Sequence, residues 1–191
     1  MRRRMPFCHP VDLGRVLPAT RACRGSGAVI LIPTETFYGL AADPACETAV
    51  RRIYELKERP QGMPLPVLVS GWSQLESLCR IPEAHRTWLE KQWPGRLTVI
   101  LPLRFPVAAA DGETLAARIP DHELLRALLE EIGPLTGTSA NRSGRLPSCT
   151  VEAALESLKG LPELILDGGK TPGGRPTKIV RFSGSQRLRV R

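Results

Sequence analysis

Lys57 and Arg59 stand one residue apart where the chain leaves a predicted helix, and Pro60 follows directly. A guanidinium offers a planar fork and an ammonium a point charge, so two such heads converging suit a polyphosphate. Two more segments carry hydroxyl and amide groups that fix a ligand's orientation: Pro33-Thr34-Glu35-Thr36-Phe37-Tyr38-Gly39-Leu40 and Thr138-Ser139-Ala140-Asn141-Arg142-Ser143-Gly144. Arg118 is a third cation, set in Leu115-Ala116-Ala117-Arg118-Ile119-Pro120, where an unpaired charge is costly. Either an internal carboxylate or a ligand's carboxylate must satisfy it. Taken singly, each feature has an ordinary explanation, because helix C-termini favour cations and Thr, Ser and Asn loops satisfy their own backbone.

The elements that position these groups follow from apolar pattern and turn chemistry. A helix over 11–24, with Asp12 near its start and Pro18 as a potential break, ends at Gly25-Ser26-Gly27. The run Ala28 to Ile32 reads as a strand buried on both faces. A helix over 46–57 delivers Lys57 and Arg59 at its end, because Ala49, Ile53 and Leu56 share one face. A strand over 65–69, helices over 72–80 and 82–92, and strands over 97–101 and 114–119 follow. Asp121 is the expected N-cap of a helix over 122–132. A strand over 135–138 runs into Ser139-Ala140-Asn141, and a helix over 151–159 and strands over 164–166 and 178–180 complete the reading. The expected fold class is an α/β sheet covered by helices, in one domain over 1–191.

Composition narrows the function classes. The formal charge of +8 invites a nucleic-acid partner, yet residues 1–24 hold six Arg against one acid and residues 170–191 hold seven Lys or Arg and no acid. The basic surplus therefore sits at the ends, either as a solvated tail or as a contact for an anionic partner such as tRNA. Cys8, Cys23, Cys46, Cys79 and Cys149 are odd in number and lack C-x-x-C spacing, which favours a reducing cytoplasmic setting. No apolar run is long enough for a signal peptide or a membrane span, so no membrane role is expected.

Several familiar motifs fail on inspection. Gly169-Lys170-Thr171 imitates the end of a P-loop, but the required earlier glycine falls on Leu164. Gly25-x-Gly27 precedes its strand instead of following it. His9, His85 and His122 show no metal-ligand spacing, and Cys149 has no visible base. No resident metal is expected.

Taken in order, the motifs Pro33 to Leu40, Lys57-x-Arg59-Pro60, Trp93-Pro94-Gly95, Leu97-Thr98, Ala117 to His122, Ser139 to Gly144 and Leu166-Asp167-Gly168-Gly169 resemble the YrdC/TsaC family of threonylcarbamoyl-AMP synthases over about residues 12–190. The resemblance implies an open twisted α/β sheet with helices packed around a basic cavity. It implies a nucleotidyltransferase that makes threonylcarbamoyl-AMP and pyrophosphate from L-threonine, bicarbonate and ATP, with Mg2+ accompanying the nucleotide. Other proteins then transfer the threonylcarbamoyl group to tRNA. By the same resemblance Lys57 and Arg59 hold the phosphates as the catalytic pair. Thr114, Ser139, Asn141, Ser148 and Arg189 contact ATP, and Thr34, Tyr38 and Arg118 take threonine.

The chain departs from that pattern where longer members carry Asn and His, at Met63 and Leu68, and it has Arg96 where a proline is common. It resembles the short, single-domain branch. Two rival readings are an RNA-binding module acting on tRNA or ribosomal RNA precursors without catalysis, and a carbamoyl-phosphate-processing domain. The first lacks the basic platform interleaved with aromatics that single-stranded RNA needs, with only nine aromatics in the chain.

Overall fold

The computed structural model describes residues 3–110, 112–184 and 186–190. In chain order its elements are β1 (Arg3–Pro6), α1 (Pro10–Cys23), β2 (Ile30–Ile32), β3 (Gly39–Ala41), α2 (Glu47–Lys57), β4 (Val67–Leu68), α3 (Trp72–Leu78), α4 (Glu83–Glu90) and β5 (Leu97–Pro102). Then follow β6 (Thr114–Arg118), α5 (Glu123–Ile132), β7 (Leu135–Thr136), β8 (Thr138–Ser139), α6 (Val151–Ser157), β9 (Leu164–Asp167), β10 (Lys178–Ser183) and β11 (Gln186–Arg189). They form the expected α/β architecture, with helices packed on two sheets of order β1-β9-β2-β3-β8 and β11-β10-β5-β6-β4-β7.

Local chemistry explains most boundaries. The carboxylate of Asp12 accepts from the amides of Cys8 and His9, both at 3.0 Å, which anchors the start of α1. Pro18 does not end that helix, which runs on to Cys23 and packs against α5. The expected N-cap at Asp121 is corrected to His122, whose Nδ1 accepts from the amide of Leu125 at 3.2 Å. α6 is capped by Thr150, whose hydroxyl accepts from Ala153.

Two segments differ from the expected pattern. Gly39 opens β3, a strand absent from the expected list, which folds back antiparallel on β2 through the 33–38 loop. A Cβ on Gly39 would lie 3.2 Å from the carbonyl oxygen of Thr138, so glycine lets β8 approach. The expected single strand over 135–138 is two short strands belonging to different sheets, with β7 against β4 and β8 against β3. Gly137 makes the crossing, and a Cβ there would sit 2.4 Å from Cγ of Leu68.

One core joins the two sheets, with Leu31, Leu40, Val67, Val99, Leu115, Ala117 and Val180 packed among side chains of α2, α3, α4 and α6. A second lies under α1 and α5 and holds Ile30, Ile32, Leu68, Leu128, Leu135 and Leu166. Because successive strand residues face opposite sides, Leu115 and Ala117 enter the first core while Thr114, Ala116 and Arg118 turn to the other face. α5 covers that face at β4 and β7. Toward β5 and β10 its residues Ile100, Thr114, Ala116 and Ile179 are only half-buried, which leaves an open sheet surface beside Arg118. Among the described residues no helix is long and apolar enough to cross a membrane.

Candidate functional site

α2 ends at Lys57 because the next residue, Glu58, takes the left-handed conformation at φ 47. The Lys57 side chain turns inward, and its ammonium donates to the carbonyls of Ser139 and, at 2.9 Å, Asn141. The amide of Ser143 donates to the Lys57 carbonyl at 2.9 Å, so the helix end and the loop after β8 are fastened from both sides. Burial, reinforced by the charge of Arg59, pulls the Lys57 ammonium down to about 8. Arg59 donates from Nη2 to the carbonyl of Pro64 at 3.1 Å. Glu58 faces outward and pairs with Lys159 and Arg142 at 3.2 and 3.5 Å.

Asn141 is buried, and its Nδ2 donates to the carbonyls of Arg142 and Arg145 at 2.8 and 2.7 Å. Those bonds shape the turn. Its Oδ1 is buried and has no partner among the described residues, which suits a donor on a bound ligand.

The 33–38 loop is built around Thr34. Its hydroxyl donates to the carbonyl of Phe37 at 2.8 Å and accepts from the amides of Thr36 and Phe37 at 3.1 and 3.3 Å. Tyr38 is fully buried; its hydroxyl donates to the Gly169 carbonyl at 2.7 Å and accepts from the Gly168 amide at 3.0 Å. Burial pushes that phenol up to about 12. The backbone of Tyr38 donates to Ser148 and accepts from Ala140, which ties the three loops together. Tyr38 thus braces the Asp167–Gly169 turn; its hydroxyl is not presented to an open pocket.

Arg118 resolves the alternative left open by its sequence. An internal carboxylate satisfies it, since Nη2 pairs with Glu35 of the 33–38 loop. Nε donates to the Gly95 carbonyl at 3.0 Å and Nη1 to the Thr177 hydroxyl at 2.8 Å. Burial pulls the guanidinium down to about 10, which leaves it charged at neutral pH.

Hydrogen bonds thus join Lys57 at the end of α2, the Ser139–Asn141 segment, Tyr38 and Ser148; Thr34 shares the loop of Tyr38, Arg59 follows Lys57, and the Arg118–Glu35 ion pair attaches the end of β6. Thr114 shares the face of Arg118 but lies roughly 13 Å along the strand. Arg189 is paired with Val180, whose side chain enters the first core, so it falls on the opposite face; Arg181 is the β10 cation on the Arg118 side. Leu68 is buried against α5, and Met63 is exposed with its carbonyl taken by the Tyr54 hydroxyl.

Glu35, Thr177 and Arg181 were not anticipated. The signal for Glu35 was its place as the lone acid in an otherwise uncharged motif, matching an arginine that needed a counter-charge.

The chain has relatives in both sequence and fold. The Sua5/YciO/YrdC family model, described as telomere recombination, matches residues 23–191. The chain is 43% identical over 158 residues to a threonylcarbamoyl-AMP synthase of Bacillus subtilis, covering 80% of this chain and 46% of that protein. It is 37% identical over 182 residues to one from Nitrosococcus oceani, covering 92% and 97%. Among solved structures, Pyrococcus abyssi Sua5 complexed with L-threonine superposes with a TM-score of 0.88 at 32% identity, covering 98% of this chain and 56% of that one. The chain thus spans about half the length of the Bacillus and Pyrococcus proteins.

Proposed function

Because the chain belongs to the Sua5/YciO/YrdC family, we propose that it makes threonylcarbamoyl-AMP and pyrophosphate from L-threonine, bicarbonate and ATP. It acts as a nucleotidyltransferase, and its product serves tRNA modification through separate transfer proteins. The observation that carries the reading is Lys57, a buried cation fastened to the Ser139–Asn141 loop with Arg59 beside it.

In this reading threonine's amine, having released its ammonium proton to solvent, attacks the carbon of bicarbonate, and one N–C bond forms as water leaves, giving the carbamate. A carbamate oxygen then attacks the α-phosphorus of ATP, forming one P–O bond as the bond to pyrophosphate breaks. The protein supplies no covalent intermediate, so its work is positioning and charge stabilisation. Lys57 and Arg59 hold the phosphates and stabilise the charge on the departing pyrophosphate. Ser139, Ser148 and the buried Oδ1 of Asn141 contact the nucleotide, and Thr114 extends that surface along β6. Arg118 keeps Glu35 as its counter-charge and offers its remaining donors to the threonine carboxylate, with Thr34 shaping the 33–38 loop.

In this reading Mg2+ would accompany ATP and help neutralise the charge of its phosphates. The deciding experiment incubates the purified protein with ATP, Mg2+ and bicarbonate, with and without L-threonine, and measures pyrophosphate. Threonine-dependent release supports the reading, and release indifferent to threonine sinks it.

A further inference from the structure

Arg118 and Glu35 form an ion pair whose side chains are only 7% and 10% exposed. Both ions have left water, so each needs further hydrogen bonds to remain charged there at tolerable cost. Arg118 has them in part, from Gly95 and Thr177. Its hydrogen bonds to these two engage two of the five N–H groups that a guanidinium carries, and Nη2, although ion-paired with Glu35, makes no hydrogen bond among the described residues. Glu35 is less well supplied, because Oε1 and Oε2 are both buried and neither accepts a hydrogen bond among the described residues. The pair therefore sets spare cationic donors beside a bare anionic acceptor, on the border of the open sheet surface.

That is the complement of an α-amino acid, whose carboxylate and ammonium sit on one carbon. We propose that Glu35 receives the α-ammonium of the amino-acid substrate while Arg118 takes its carboxylate, so that the two read the zwitterion as a unit. The inference rests on the reading of Arg118 as the carboxylate anchor. Arg118 alone would accept a small carboxylic acid with or without an amine. With Glu35 beside it, a neutral zwitterion lies antiparallel on a neutral pair and no net charge is added to the buried site. An acid lacking the ammonium brings a net negative charge against Glu35. Glu35 is thus a specificity-determining residue that selects an amine-bearing substrate.

The test is titration calorimetry on the full chain with L-threonine and with 2,3-dihydroxybutanoate, its analogue carrying a hydroxyl in place of the ammonium. The wild type is expected to prefer threonine by roughly tenfold or more, the worth of one charge-assisted hydrogen bond. Glu35→Gln loses that preference while its KM for ATP stays unchanged. A folded Glu35→Gln protein that keeps the wild-type preference overturns the proposal. Should that variant fail to fold, Glu35→Asp and the wild type decide: Glu35→Asp keeps the charge with a shorter reach and is expected to show a reduced preference. Equal binding of the two ligands by the wild type overturns the proposal. Pyrophosphate release separates the two readings. Threonine-independent release in the wild type brings down the proposed reaction and this inference with it, whereas threonine-dependent release with an unchanged Glu35→Gln preference removes only Glu35.

Discussion

The ammonium of Lys57 lies 2.9 Å from the carbonyl oxygen of Asn141, so the last residue of α2 is bonded to the loop that leaves β8. The side chain proposed to hold phosphate is therefore anchored by two backbone carbonyls instead of ranging freely. Fixing it in place lowers the entropy lost on binding, and burial lowers its affinity for a proton.

The second effect is measurable. With Lys57 held at about 8, its charge is lost as pH rises through that value, while Arg59 stays charged. Affinity for ATP is expected to weaken by about tenfold between pH 7 and pH 9, the worth of one charge-assisted contact. KM for ATP measured across that range checks it, and a flat profile counts against Lys57 as a phosphate ligand.

Arg59→Ala removes a guanidinium whose bond to the Pro64 carbonyl lies within one local loop. The variant is expected to fold with a near-normal melting temperature and to lose turnover by about a hundredfold or more, as expected for deletion of a preorganised charge at a phosphoryl-transfer site. Circular dichroism melting and pyrophosphate release separate the two outcomes. Unchanged activity removes Arg59 from the phosphate site.

Gly137→Ala drives a methyl group into Leu68, because the new Cβ would lie 2.4 Å from Cγ of that side chain. Overpacking of this kind costs about 1–3 kcal/mol. Denaturant unfolding should show the loss, and the double variant with Leu68→Ala should be less destabilised than the sum of its two single changes. Strict additivity would show that the crossing between sheets tolerates a side chain.

His122 caps α5 with an unprotonated Nδ1, and burial lowers its pKa below the ordinary value. A folded-state value below the unfolded one means that the unfolded chain binds the proton more readily. The stabilisation is therefore complete above about pH 6.5 and is lost as pH falls toward and through the lowered folded value. His122→Asn keeps an oxygen cap without a titrating ring, so its stability is expected to fall less between pH 7 and pH 5. Parallel pH profiles for the two proteins would discount the cap.

What could be read from the sequence depended on whether the deciding interaction was local. Ile30 to Ile32 announced a strand buried on both faces, and the structure divides those residues between the two cores. β1 was invisible because Arg3 and Arg4 are exposed on an edge strand, where apolar patterning is not required. The division of 135–138 depended on Gly137, whose meaning comes from Leu68 across the sheet. Arg118 was marked by its apolar neighbours and Glu35 by being the lone acid of its motif, but only the packing of the 33–38 loop against the end of β6 pairs them. Asp121 was the expected cap of α5, and the backbone geometry puts His122 in that place.

β11 has a consequence of a different kind. It is the outer strand of its sheet, and Gln186–Arg189 is exposed throughout, which presents unpaired backbone groups to any passing strand. Leu188 is 41% exposed on the same strand, so hydrophobicity alone would invite stacking of one copy on another. Arg187 and Arg189 flank it, with Arg181 opposite on β10. Two such strands brought together would set like charges against each other, so these cations guard the chain against edge-to-edge polymerisation.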